Sequence, residues 1–134
     1  MKTTFFIPGI PVSKGRPRFG KGHAYTPEKT RVAEESFLWQ AMKHKPKKPI
    51  TGAIRLSLSF DMPIPESTSK KKREKMIAEW TPHVKKPDKS NLEKLVEDAL
   101  NGTFWKDDSQ IAVSITMKQY AEKPGTWVTV EEIS

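Results

Sequence analysis

The chain has 134 residues, of which 30% are charged and none is cysteine, and its formal net charge is +8. This length predicts one domain, residues 1–134, that is large enough to bury its own core. The lack of cysteine excludes a disulfide framework or a thiolate metal site, and no run of about 20 apolar residues is present to cross a membrane.

The first predicted element is a strand over residues 3–7, which is short, aromatic and β-branched and ends at Pro8 and Gly9. This N-terminus makes a poor signal peptide because prolines interrupt its apolar patch, so we expect a soluble protein of the cytoplasm. Residues 13–30 are basic and rich in glycine and proline, which is typical of a loop. A helix begins near residue 27 and runs to about residue 43.

The clearest strand is predicted over residues 53–62, where apolar and polar side chains alternate, as expected when one face of a sheet is covered and the other is wet. Residues 67–80 are predicted to form a basic surface helix or lid, and residues 91–100 a helix with a leucine-rich buried side. Alternating strands follow at 111–117 and 126–132. The pattern predicts an α+β fold: one small mixed α/β domain with an antiparallel or mixed sheet covered by helices.

Charge is distributed unevenly along the chain. Residues 1–87 carry 19 lysines and arginines against 7 acidic residues, whereas residues 88–134 carry 5 against 9. A positive field attracts polyanions, which favours nucleic acid as a partner. An acidic cluster has no obvious use against DNA unless a metal ion bridges the two negative partners. The contrast therefore predicts a protein that cuts nucleic acid rather than one that only holds it.

The stretch from residue 86 to residue 111 holds six acidic residues in and around the predicted helix. Asp88 lies just before the helix, Asp98 lies within it, and Asp107 and Asp108 lie just before the next strand. Mg²⁺ prefers oxygen ligands, often one or two carboxylates with water and substrate phosphate completing its shell. A helix start and a strand start that lie side by side would supply such ligands, so these four aspartates are the predicted metal ligands.

Lys94 lies one turn into the helix, where it can contact the scissile phosphate or the leaving oxygen. Asn91, Lys94 and Asp98 follow three- and four-residue spacing, so they are predicted to share the face opposite the leucines. The alternative is structural: Lys94 and Asp98 would form an ordinary surface ion pair, and the paired aspartates would belong to a turn. Spacing alone leaves both interpretations open.

The motif PDKSNLEKLVEDALNG, followed by WKDDSQI, closely resembles the core motif of the RusA-type Holliday junction resolvases, PDxDNLxKxxxDALNG and then DDxQI or DDxQV. The upstream segments SKGRPRF, HAYTP and KKPD are similar to phage and prophage members. The resemblance implies a homodimeric endonuclease that uses Mg²⁺, with Mn²⁺ as a substitute ion, and nicks four-way DNA junctions symmetrically in recombination and repair. Carried over by position, it implies catalytic roles for Asp88, Lys94 and Asp108, with Asp107 beside them.

Position 90 departs from the family pattern, because Ser90 stands where a second aspartate is usual. Serine is a neutral and poorer Mg²⁺ ligand than a carboxylate. Ser90 and Glu93 also predict a capping box, with Ser90 at the helix N-cap. Two interpretations follow: either Asp98 or Asp107 completes the ligand set, or the protein binds junctions with weakened or lost catalysis.

Basic residues near the acidic motif are the predicted contacts to DNA phosphates. Lys14, Arg16 and Arg18 lie in the basic segment, and Lys85 and Lys86 immediately precede the acidic motif. Guanidinium forks and ammonium groups both suit phosphate oxygens. For the first three residues the alternative is a solvated loop.

Aromatic residues near the motif have two possible roles. Phe104 and Trp105 precede the DDS turn, where an exposed ring can wedge into the unstacked centre of a junction. We expect both to pack in the core instead. We expect Trp39, Trp80 and Trp127 to lie in the core or in a dimer interface.

Overall fold

The computed structural model describes residues 1–15, 18–20, 22–25 and 27–134, with the side chains of all of these except Arg18 and Tyr25. Its α-helices and β-strands, in chain order, are β1 (Lys2–Pro8), β2 (Arg18–Gly20), β3 (His23–Tyr25), α1 (Glu28–Ala41), β4 (Ile54–Pro63), α2 (Lys70–Ala78), α3 (Lys89–Leu100), β5 (Ile111–Ala121) and β6 (Gly125–Glu132), and short 3-10 helices lie at Met42–His44 and Asp108–Gln110. The helices and the long strands lie where the sequence predicts them. The β2–β3 hairpin lies where the sequence predicts a loop. The loop was predicted because the segment contains several glycines and prolines. Among these described residues, no helix is both long and apolar enough to span a bilayer.

The described residues form one four-stranded sheet in the order β1-β6-β4-β5. β6 pairs antiparallel with both β1 and β4, whereas β4 and β5 are parallel. Parallel neighbours cannot be joined by a tight turn, so residues 64–110 form a crossover that contains α2 and α3. The prediction of a small mixed α/β domain with an antiparallel or mixed sheet is confirmed, and the sheet is mixed. The crossover carries all six acidic residues of the motif.

The core lies between one face of the sheet and the helices α1 and α3. Side chains along β4 alternate between buried and partly exposed, which confirms the predicted period of two. The buried residues of α3 repeat every three or four positions and so line one side of the helix; they are Leu92, Leu95, Val96, Ala99 and Leu100. Phe104 and Trp105 are fully buried, so the prediction that both pack in the core is confirmed.

The opposite face of the sheet is partly exposed. It presents Ile115, Met117 and Trp127, with exposed fractions of 50%, 44% and 46%. Trp39 on α1 and Trp80 after α2 are 81% and 67% exposed. The prediction that these three tryptophans can belong to the core is wrong, because Trp127 alternates with the buried side of β6 and the other two lie on the solvent side of their segments. Their place in a dimer interface stays a prediction.

Candidate functional site

The candidate site begins where α3 begins. Asp88 is the N-cap residue, with extended backbone, and its carbonyl oxygen accepts from the N–H groups of Asn91 and Leu92 at 3.1 and 3.2 Å. The predicted capping box at Ser90 and Glu93 is therefore wrong, because the helix begins directly after Asp88 and Ser90 already lies in its first turn. Ser90 is exposed there.

Asp88 presents an ionised carboxylate at the surface. Lys86 donates a hydrogen bond to the Asp88 carboxylate at 2.8 Å, and this bond together with the charges of Lys86 and Lys118 lowers the pKa of Asp88. Lys118 of β5 donates to the backbone carbonyls of Lys85 and Pro87, at 2.7 and 2.8 Å. The loop that precedes α3 is thus fastened to the strand beneath it. The predicted DNA contacts Lys85 and Lys86 both lie beside Asp88 in this exposed loop.

The second acidic element is the turn that leads into β5. Asp107 accepts from the backbone N–H of Ser109 at 3.0 Å, and the side chain of Gln110 accepts from the N–H of Asp107 at 2.8 Å, which together make a capping box. Hydrogen bonds from Ser109 lower the pKa of Asp107. The Gln110 amide also donates to the carbonyls of Ile50 and Gly52, at 2.7 and 3.0 Å, so the turn is tied to the chain that enters β4.

A buried residue of the core orients the side chain of Asp108. Its Oδ1 accepts from the indole N–H of Trp105 at 2.8 Å, and Trp105 is fully buried. A buried indole has few rotamers, so this bond fixes where the carboxylate points. The carboxylate lies within electrostatic range of α3, since its charge raises the pKa of both Lys94 and Glu97. The sequence predicted roles for Asp108 and Lys94, and the fold brings these two residues from separate segments near enough for the charge of Asp108 to raise the pKa of Lys94.

Lys94 and Asp98 form the ion pair that their spacing allows, at 3.3 Å. Partial burial alone would lower the pKa of Lys94, but the hydrogen bond to Asp98 and the charges of Asp98, Asp108 and Glu97 outweigh it and raise that pKa. The Asp98 carboxylate also pairs with the ammonium group of Lys14, at 2.7 Å. The same ammonium group lies 2.9 Å from the carboxylate of Glu34 on α1. Asp98 is thus held between two ammonium groups.

Lys14 therefore occupies a structural position. Only 22% of its side chain is exposed, and its ammonium joins α1 to α3 through two carboxylates. Its backbone N–H donates to the carbonyl of Asn91 at 2.9 Å, which adds a second tie to α3. Of the other predicted DNA contacts in the basic segment, Arg16 and the side chain of Arg18 lie outside the described residues.

Two glutamates that the sequence analysis did not select belong to the same region. Glu93 and Glu97 lie four residues apart on α3, and the charge of Glu93 acts on the carboxyl group of Glu97. Burial, followed by the charges of Glu93 and Asp108, raises the pKa of Glu97 to about 7. The spacing of Glu93 and Glu97 in the sequence could have indicated them, because two like charges four residues apart repel each other and destabilise an isolated helix.

The acidic groups lie along α3 rather than around one point. With a rise of about 1.5 Å per residue, Asp98 lies ~15 Å along the axis from Asp88, and Glu97, whose pKa the charge of Asp108 raises, lies ~13 Å from Asp88. Within a single protomer, the part of the chain that the structure describes contains no group of three acidic or histidine side chains placed to hold a metal ion. Exposed, ionised carboxylates nevertheless suit the water-rich shell of Mg²⁺, which needs only one or two of them.

Comparison with known proteins agrees with this arrangement of motifs. The family described as endodeoxyribonuclease RusA has a model that matches residues 8–131, which includes every candidate site residue. The chain is also 37% identical over 136 residues to "Uncharacterized protein YqaN" of Bacillus subtilis (strain 168), a match that covers 97% of this chain and 96% of that protein. A match of this extent includes the whole fold together with both acidic elements. The chain belongs to the RusA family of endodeoxyribonucleases.

Proposed function

We propose that this protein is a metal-dependent endonuclease that resolves four-way DNA junctions by paired symmetric nicks, in DNA recombination and repair in the cytoplasm. Family membership supports DNA cleavage, and the sequence motifs of prophage type support the junction as substrate. The observation that supports the proposal most is that Asp108 and Lys94, which come from separate segments, lie near enough for the charge of Asp108 to raise the pKa of Lys94. An anionic ligand and a cation at one surface suit a phosphodiester and its charge-balancing metal.

The proposed cofactor is Mg²⁺, with Mn²⁺ as a substitute. Asp88, Asp107 and Asp108 are the proposed ligands, with water and a substrate phosphate completing the shell. Asp98 is left out of this set because two lysines already hold it. When bound, the ion supplies Lewis acidity at phosphorus and a water of lowered pKa.

The residues of the chain have roles that do not depend on the exact coordination. Trp105 holds Asp108 in one orientation through its 2.8 Å hydrogen bond. Lys94, fixed by Asp98, places an ammonium group where a phosphate or a leaving oxygen would lie. The N-terminus of α3 adds partial positive charge beside Asp88, which favours a phosphate of the backbone. Lys85 and Lys86 extend that positive surface.

The proposed assembly is a homodimer, because two sites related by a twofold axis suit a substrate that is nicked twice symmetrically. A dimer axis that crosses α3 would bring the Asp88 end of one protomer to the Asp108 end of its partner. We propose that the two acidic elements, which lie apart in one protomer, combine across this axis.

A mixing experiment tests the composite site. Asp88→Asn and Asp108→Asn proteins, each inactive alone, are combined and allowed to exchange subunits, and light scattering confirms the dimer. If the site is composite, a mixed dimer contains one site with both carboxylates, and nicking of a labelled junction returns. If both carboxylates act within one protomer, every site in the mixture lacks one of them and nicking stays absent.

Cleavage itself is tested with a labelled four-way junction and Mg²⁺. The proposal expects paired nicks that yield linear duplex products, and it expects Asp108→Asn to abolish them. The amide oxygen can still accept the Trp105 hydrogen bond, so this variant should fold normally. Glu74→Gln, on the exposed surface of α2, is the matched control and should cut at the wild-type rate. An absence of products at any excess of the wild-type protein rejects catalysis.

Ser90 supports a second candidate function, a junction-binding protein with weakened or lost cleavage. Ser90 is exposed in the first turn of α3, two residues after Asp88, so an aspartate there would project without steric cost. The Ser90→Asp variant separates the two functions. A large gain in cleavage at unchanged junction affinity favours the binding protein, whereas no gain indicates that the natural site is complete.

A further inference from the structure

The β2–β3 hairpin carries an aromatic side chain that does not pack in the core. Phe19 is 83% exposed, although burial of a phenylalanine typically contributes about 1.5–3 kcal/mol to folding. Its directly opposite residue on β3 is Ala24, which is small and also exposed, so no cross-strand ring covers it. An exposed ring adds nothing to the core. It also does not stabilise the hairpin, although an isolated two-stranded hairpin is only marginally stable.

The base of this hairpin is fixed beside the candidate site. The N–H of Gly15 donates to the hydroxyl of Thr30 on α1 at 2.9 Å, and Lys14 is tied to Asn91 of α3 through its backbone. A side chain at Gly15 would collide with that hydroxyl, so the close approach requires glycine. Asn91 lies midway between the site residues Asp88 and Lys94 in the sequence, three residues from each.

The chain length limits how far Phe19 can lie from the site. Four residues separate Phe19 from Gly15, so their Cα atoms lie within about 14 Å of each other. The segment is also strongly cationic by sequence: no acidic residue precedes Glu28, whereas residues 16–21 contain three lysines and arginines. A cationic ribbon that presents a bare ring is suited to DNA whose bases are accessible, since apolar side chains wedge between base steps and stack on unpaired bases.

We propose that the β2–β3 hairpin enters the branch point of the DNA junction and that Phe19 stacks on the bases that the junction leaves unstacked. This inference rests on the proposed junction substrate and adds a residue that recognises its branched shape. Phe19 separates junctions from linear duplex, because fully stacked duplex offers no base face to the ring. Phe104 and Trp105, for which the sequence left the wedge as the less favoured alternative, cannot do this, since both are buried.

The test measures binding without cleavage, in EDTA, to a four-way junction with 2-aminopurine at the branch point and to a linear duplex of the same composition. Loss of one base stack weakens affinity by about five- to 150-fold, so Phe19→Ala should lose that much junction affinity and the fluorescence rise that reports unstacking. Its duplex affinity should not change. Phe19→Trp, which keeps a stacking ring, should retain junction affinity.

Ile77→Ala is the matched control, because Ile77 is also an exposed apolar side chain, at 43%, but lies on α2 outside the hairpin. It should bind both DNAs as the wild type does. The proposal is overturned if Phe19→Ala binds the junction as tightly as wild type, or if it weakens junction and duplex equally, which would make the ring a groove contact. If the wild type itself shows no preference for the junction, the proposed function fails along with the inference, whereas preference without a Phe19 effect rejects the inference alone.

Discussion

Glu97→Gln should stabilise the protein at alkaline pH, because the Glu97 carboxylate is then ionised in a partly buried position beside other acidic groups. Burial and the charges of Glu93 and Asp108 raise the pKa of Glu97 from 4.5 to about 7. A rise of this size corresponds to at most ~3.4 kcal/mol between the two protonation states. Since the side chain is only partly buried, solvent screening reduces this to about 1–2 kcal/mol.

The sign follows from proton linkage. The folded state holds the Glu97 proton more tightly than the unfolded chain does, so its stabilising effect is complete below pH 4.5 and is lost as the pH rises through about 7. Glutamine mimics the protonated form at every pH. We therefore expect Glu97→Gln to match the wild type near pH 4.5 and to exceed its free energy of unfolding by about 1–2 kcal/mol at pH 8.

The assay is thermal unfolding between pH 4.5 and 8 in a metal-free buffer. For a chain of this size the expected gain at pH 8 is about 4–8 °C in the melting temperature. Glu74→Gln, on the exposed surface of α2, is the matched control and should show no pH-dependent difference. The reasoning is refuted if Glu97→Gln is no more stable than wild type at pH 8, or if its advantage is equally large at pH 4.5.

Three further predictions concern the supports of the site. Lys14→Met should lower the free energy of unfolding by about 1–3 kcal/mol in urea denaturation, since two partly buried carboxylates lose their shared ammonium; an unchanged midpoint would contradict this. Gly125→Ala should lower it by about 1–3 kcal/mol, because the added methyl group would collide with the ring of Phe6, and a melting temperature equal to wild type would show that the ring can move aside. Trp105→Phe should reduce junction cleavage per folded molecule several-fold because Asp108 loses the indole donor that orients it, and full activity would remove the orienting role of that bond.

The sequence predicted the elements whose side chains repeat regularly. β4 alternates over ten residues, and α3 places its leucines every three or four positions, so burial on one side decides both structures. The hairpin could not be predicted in this way, because its strands are three residues long and contain no periodic pattern. The start of α3 was misplaced because Ser90 is a good capping residue locally, whereas Asp88 is the residue that takes the extended backbone.

Within the site, the sequence motif selected Asp88, Lys94 and Asp108, but it could not show their supports. One partner of Asp98 is Lys14, 84 positions earlier in the chain, and no local spacing connects them. The indole that aims Asp108 was predicted only to pack in the core. Contacts of this kind depend on how α1, α3 and β5 are arranged, which is a property of the whole fold.

The attachment of both acidic elements to β5 fixes the span between them. Lys118 holds the loop before α3, and the turn that contains Asp107 leads directly into Ile111, the first residue of the strand. Seven residues of strand separate these two anchors, or about 23 Å. A hydrogen-bonded strand neither stretches nor shortens, so the fold sets the distance between these two anchors. With the proposed junction as substrate, any mismatch in length must be absorbed by bending of the DNA arms rather than by the protein.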